Sequence, residues 1–294
     1  MTQSRAGAHS PTTSGSVAGR DLFDVVEHEL IPRLLMLDSG AAGLSAPQTS
    51  QGLIHGSPQG PAESPNPVAH QLALLTLEAE LPDCQAYLEG LRDKGLSLEE
   101  IFLDVLQPAA RILGSRWKED SCSFVDVTTG LWQLQQIFHQ LLHDFRTERP
   151  SRGRVETSPA GHRPTAYFCT LPGAQHRLGV QMVSAFFCRA GWQTSLSPSQ
   201  SLGQILEDAQ RFAPDLLGVS ISCEREMHEA PAFILALRKA TRKSNPILMI
   251  GGPGPSLFPE LAQACQADLV SGDAPSALTA AHSYLQSRRG KASA

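Results

Sequence analysis

Three short stretches of this chain carry side chains that could do chemistry. "GAQHRLG" sets His176 three residues before Gly179, "GVSISCE" offers Ser220 and Ser222, and "IGGPGP" offers the pair Gly251 and Gly252. A histidine in a glycine-flanked turn, between a strand-like run and an apolar helix, can be a catalytic base, a buried structural imidazole or a metal ligand. Glycines and small hydroxyl residues let a bulky group approach the backbone. No standard phosphate or nucleophile signature is present. There is no GxxxxGK, "GGPGPSL" lacks the last glycine of GxGxxG, and Ser220 has no GxSxG elbow around it. Taken one at a time, each stretch has an ordinary reading: a loop histidine that caps or faces solvent, and a glycine pair that ends a strand.

The elements around them decide whether they meet. After Pro164 the runs "TAYFCTL", "QTSLS", "LLGVSI", "ILMIG" and "ADLVSG" alternate with helical stretches. That rhythm predicts a parallel sheet covered on both faces, an α/β, flavodoxin-like doubly wound domain over 164–290. Ligands of such sheets bind beyond the C-terminal strand ends, and all three stretches fall there. Upstream, 67–147 shows three-to-four-residue apolar spacing in "HQLALLTLEAEL", "DCQAYLEGLRDKG", "SLEEIFLDVLQPAARILGSRW" and "SFVDVTTGLWQLQQIFHQLLHDF". Ser97 with Glu100 forms a capping box and Gly95 stops the helix before it, so four helices in a small antiparallel bundle are expected. Residues 1–66 read as a largely disordered region. It holds one amphipathic stretch, with Leu22, Val26, Leu30 and Leu34 on a stripe capped by Asp21 and interrupted by Pro32, and then a Gly/Ser/Pro/Gln linker from 39 to 66.

Composition narrows the class. The chain has 294 residues, enough for a substantial core, and a formal net charge of -5. A mildly acidic chain is a poor default binder of nucleic acid, and the cluster Arg238, Lys239, Arg242 and Lys243 reads as a solvated helix face. No apolar run approaches the roughly 20 residues of a membrane span, and no secretory signal opens the chain. The six cysteines form no CxxC pair; packed thiols in a reducing cytoplasm are expected, and no zinc site.

Together the three stretches resemble the cobalamin-binding domain of methionine synthase, corrinoid methyl carriers and B12-dependent mutases. That family's D-x-H-x-x-G, S-x-L and Gly-Gly elements are matched here by Ala174-x-His176-x-x-Gly179, Ser220-x-Ser222 and Gly251-Gly252. The resemblance implies that His176 coordinates cobalt from below and that Arg177, Leu178 and Gly179 border the cofactor. Ser220 would face the displaced dimethylbenzimidazole, Gly251 and Gly252 would border the tail, and Ser222 would also belong to the cofactor site. Neutral imidazole suits cobalt. Ala174 replaces the aspartate that orients the histidine, which argues against methyl transfer; Gln175 or a backbone carbonyl could hold the imidazole instead. Ser222 replaces the usual leucine.

The helical region implies a cap over the corrin, with Trp117 and Val127 as cap residues; a core tryptophan is the equal alternative for Trp117. Lys118 stands where light-responsive repressors carry a histidine, so water or hydroxide is the expected upper ligand rather than His139 or His143. With "VVEHELIPRLLML" and "PAARILGSRWKEDSCSFVDVTTGLWQLQ", the chain is similar to the cobalamin-binding photosynthesis-gene antirepressors of purple bacteria, the AerR/PpaA group. That similarity implies a cytoplasmic, non-enzymatic, light-responsive regulator that binds hydroxocobalamin or adenosylcobalamin. It would act on a DNA-binding transcriptional repressor of photosynthesis genes, without contacting DNA or membrane itself. The partner surface could be segment 21–36, which could equally pack back on the bundle. Other readings are a corrinoid carrier for methyl transfer, a haem sensor using His176, and a cofactor-free adaptor.

Overall fold

A computed structural model describes residues 66–148, 163–174, 177–197 and 201–292. The amphipathic stretch at 21–38, the linker up to residue 65 and His176 itself lie outside the described residues.

Four helices come first: α1 (Pro67–Glu78), α2 (Leu81–Asp93), α3 (residues 98–118) and α4 (Phe124–Thr147). Their starts are fixed by side chains that satisfy otherwise orphaned amides. The Asn66 side chain accepts from Val68 N and Ala69 N at 3.0 and 3.2 Å, with Pro67 preset for the first turn. Ser97 and Glu100 form the expected capping box, as do Ser123 and Asp126. The Ser97 hydroxyl and amide hold the Glu100 carboxyl below its ordinary value, and Ser123 does the same for Asp126.

Helix α3 departs from the simple reading. Between Leu98–Glu100 and Gln107–Lys118 it widens into a π-helical segment, Ile101–Leu106. Pro108 sits inside this helix; it has no N–H for the Asp104 carbonyl, and its ring crowds that group. The backbone widens, Gln107 N reaches back to Phe102 O, and the Asn66 side-chain amide donates to Asp104 O. One asparagine therefore caps α1 and repairs α3.

The second half alternates strand and helix as the sequence predicts: β1 (Thr165–Thr170), α5 (Leu178–Arg189), β2 (Gln193–Leu196), α6 (Leu202–Phe212), β3 (Leu216–Ser220), α7 (Glu224–Ala240), β4 (Ile247–Gly251), the short α8 (Pro253–Leu257) and α9 (Glu260–Ala264), β5 (Leu269–Ser271) and α10 (Ala274–Ala292). The strands are parallel in the order β2-β1-β3-β4-β5. One sheet face packs Tyr167, Leu217, Leu248 and Ile250 against α6 and α7. The other packs Phe168, Leu216, Ile247 and Met249 against α5 and α10.

Helix α5 is shared between the two halves. Val180 and Phe187 face the sheet, while Met182, Ala185 and Phe186 join the core of the four-helix region. Phe186 lies 4.8 Å from Phe145 of α4, ring centre to ring centre. The Arg189 guanidinium sits 4.5 Å over the Phe145 ring and pairs with Glu99 at 3.3 Å, both side chains nearly out of water. Apolar area supplies most of the attachment, with the ion pair as a polar contact beside it.

Candidate functional site

A cavity of about 600 Å³ lies where the helical half meets the C-terminal ends of the strands. Its floor is one face of the sheet, built in two rungs. In register across β3, β4 and β5 stand Ser220, Gly251 and Ser271; two residues earlier, on the same face, stand Phe168, Gly218 and Met249. Val180 and Val183 of α5 form one wall, Ala274 and Ala277 of α10 the other. The space therefore runs from the strand ends down along the sheet between two helices.

Close backbone approach is enforced at two glycines. A Cβ on Gly218 would stand 2.4 Å from a Phe168 ring carbon, so any side chain there would push Phe168 aside. Gly252 has φ of 92°, and its Cβ would fall 2.5 Å from Ile221 O. Only glycine holds that turn. The neighbouring loop is anchored by a buried carboxylate: Ser222 N donates to Glu226 Oε2 at 2.6 Å.

The loop after β1 is braced at both ends. Ala174 N donates to Leu171 O at 3.1 Å, and the Ala174 side chain is buried, 2% exposed. Arg177, at the start of α5, donates to the Ser197 carbonyl, and Ser197 N donates back to Phe168 O at 2.9 Å. In sequence, His176 falls between Ala174 and Arg177. Arg177, Leu178, Gly179, Ser220, Ser222, Gly251 and Gly252 all line the cavity, so seven of the residues singled out from sequence come together there.

The roof comes from the helical half. Leu103, Gln107, Ala110, Arg111 and Gly114 present one stripe of α3, and Leu131 with Gln135 one stripe of α4. Trp117 and Val127, expected over the cofactor, do not line the cavity. Each sits one turn further along its stripe: Trp117 is 41% exposed and Val127 is buried in the helical half. Phe124, on the stripe of Val127 and Leu131, is 42% exposed, so two aromatics flank the 119–123 turn beyond the roof's end. His139 and His143 are exposed and do not line the cavity.

Sequence reasoning missed Gly218, Met249, Ser271 and Asp273 of the sheet half and Gln107, Arg111 and Gln135 of the roof. Ser271 and Asp273 had a signal, because "VSGD" closes the fifth strand at the same edge as Ser220 and Gly251. Asp273 is the one carboxylate among the described lining residues, and its oxygens accept from Ser276 N at 2.7 Å and Ser276 Oγ at 2.9 Å. The lining is otherwise apolar, amide, hydroxyl and guanidinium. It can enclose and orient a large, mostly apolar ligand; it offers no uncommitted acid.

Residues 164–282 match the family model described as the B12 binding domain. A Rhodobacter capsulatus relative, an uncharacterized 20.5 kDa protein in the bchF-crtJ intergenic region, is 26% identical over 187 residues, 63% of this chain and 92% of its own length. Among solved structures, the Methanosarcina barkeri monomethylamine corrinoid protein superposes with a TM-score of 0.61 at 13% identity, covering 74% of this chain and 98% of that one. That likeness concerns the fold. A match to this family implies a corrinoid, and the residues present fit one: the space beside the sheet is lined by small and apolar residues of the strand ends, α5 and α10, and the roof stands across from it. No described helix is long and apolar enough to cross a membrane.

Proposed function

We propose that this chain is a light-responsive corrinoid-binding regulator, not an enzyme, and that it acts on a DNA-binding repressor of photosynthesis genes. His176 would hold cobalt from below, steadied by the Arg177 brace and the Ala174 turn. Ser220, Ser222, Gly251 and Gly252 would border the nucleotide tail, and Gln107, Arg111 and Gln135 would donate to the amide fringe of the corrin. An alkylcorrinoid such as adenosylcobalamin would supply a cobalt–carbon bond that light can break.

One observation carries the choice of regulator over catalyst. Asp273, the lone carboxylate among the described lining residues, is spent on capping α10, and a buried alanine stands at 174. Methyl transfer needs a proton handled as cobalt changes oxidation state, and no uncommitted carboxylate is found among the described lining residues. The relative in the bchF-crtJ intergenic region supports the regulatory setting. The second reading, a methyl carrier, is favoured by the likeness to the monomethylamine corrinoid protein. The deciding test measures repressor–operator affinity by gel shift, with corrinoid-loaded chain in the dark and after illumination. The reading predicts that light changes the repressor's grip. Methyl uptake from a methyltransferase with no effect of light on the repressor would establish the carrier instead.

A further inference from the structure

The basic cluster at 238–243 lies on and just past the C-terminal end of α7, with Lys239, Arg242 and Lys243 exposed. Leu235, Arg238, Lys239 and Arg242 fall at helical spacing on or just past the C-terminal end of α7, so they share one side. They overlook a cleft of about 480 Å³ backed by Leu217 and Leu248, near the starts of β3 and β4, and walled by Asn245 and Pro246. This is the edge of the sheet opposite the corrinoid cavity.

Charge and exposure there are unusual for a chain of net charge -5. Arg238 is occupied, donating to Gln266 O and pairing with Asp268 at 3.4 Å. Among the described residues neither Lys239 nor Arg242 has an ion pair, and both are exposed. Leu235 is 70% exposed in their midst. Leaving a large apolar side chain in water between unpaired cations stabilises nothing in the isolated chain.

We propose that this cleft is a docking site for an acidic segment of a partner protein, with one apolar side chain seated beside Leu235 and carboxylates meeting Lys239 and Arg242. Charge complementarity sets the sign of the partner, and the apolar centre sets its class. A nucleic acid strand would seek aromatic platforms, and none of the lining residues is aromatic. The proposal is independent of corrinoid binding.

The test uses the full chain and a fluorescein-labelled amphipathic peptide of about 16 residues, leucines at helical spacing and glutamates elsewhere, followed by anisotropy. Saturable binding is expected, weakened about tenfold or more by Lys239→Glu with Arg242→Glu and by Leu235→Ser, and unchanged by Arg288→Glu on α10. Circular dichroism checks each fold, and Lys239→Gln with Arg242→Gln replaces the double reversal if it unfolds. No peptide binding, equal binding by the double variant, or tighter binding of a single-stranded oligonucleotide of similar length would overturn the proposal.

Discussion

The floor of the cavity is made of backbone: strand rungs in fixed register, two glycines where an added Cβ collides with neighbouring atoms, and loops tied by Arg177 and Glu226. The roof is made of side chains on helices whose hold on the sheet half runs through one face of α5 and the buried pair Arg189–Glu99. Adding a Cβ to the floor meets atoms at 2.4 to 3.1 Å at Gly218, Gly251 and Gly252, whereas one added at Gly114 in the roof meets nothing within 4 Å. A crowded, hydrogen-bonded floor suits a constant feature of the ligand. A roomier roof, attached through few elements, suits a part that changes.

The attachment gives the largest expected effect. Glu99→Ala removes a carboxylate acceptor from a nearly buried guanidinium and should cost about 2–3 kcal/mol of unfolding free energy in urea. Glu99→Gln, which keeps an acceptor, should cost less. If Glu99→Ala costs no more than an exposed pair would, Arg189 does not tie roof to floor.

Paired glycine substitutions sharpen the contrast directly. Gly218→Ala should destabilise by about 1–3 kcal/mol, because Phe168 must move. Gly114→Ala, in open space within a helix, should be neutral or stabilise by up to about 1 kcal/mol. Equal costs in thermal melts would erase the distinction.

The smallest effect concerns the α10 wall. Trp192 Nε1 donates to His282 Nε2 at 2.8 Å, a bond that needs the nitrogen unprotonated, and burial holds His282 below its ordinary 6.5. Below 6.5 the unfolded chain therefore binds more protons than the folded one. This contribution to stability is complete above pH 6.5 and is lost as pH falls through the lowered folded value. Urea midpoints of the native chain should fall more steeply between about pH 6.5 and 5 than those of His282→Gln. Parallel profiles would remove His282 from the account.

This same division governed what could be read from sequence. Strand–helix alternation after Pro164 sufficed for the sheet, and short strands put Ser220 and Gly251 on one edge before any register was known. Gly218 was not legible, because its need arises from Phe168 on a neighbouring strand 50 positions earlier in the chain. The roof was harder. Leu103, Gln107, Ala110 and Gly114 look like any amphipathic stripe, while the conspicuous Trp117 lies one turn past the cavity. The π segment depends on Pro108 and is completed by Asn66, 38 residues from Asp104. Contacts of that span leave no local pattern.

The central claim is best tested by the visible spectrum of the full chain mixed in the dark with adenosylcobalamin or hydroxocobalamin, alongside His176→Ala. The account predicts that the native chain retains the vitamin through gel filtration, with bands of a cobalt whose lower nitrogen comes from the protein. His176→Ala should lose those bands. Retention with identical bands in both proteins, or no uptake by the native chain, would contradict it.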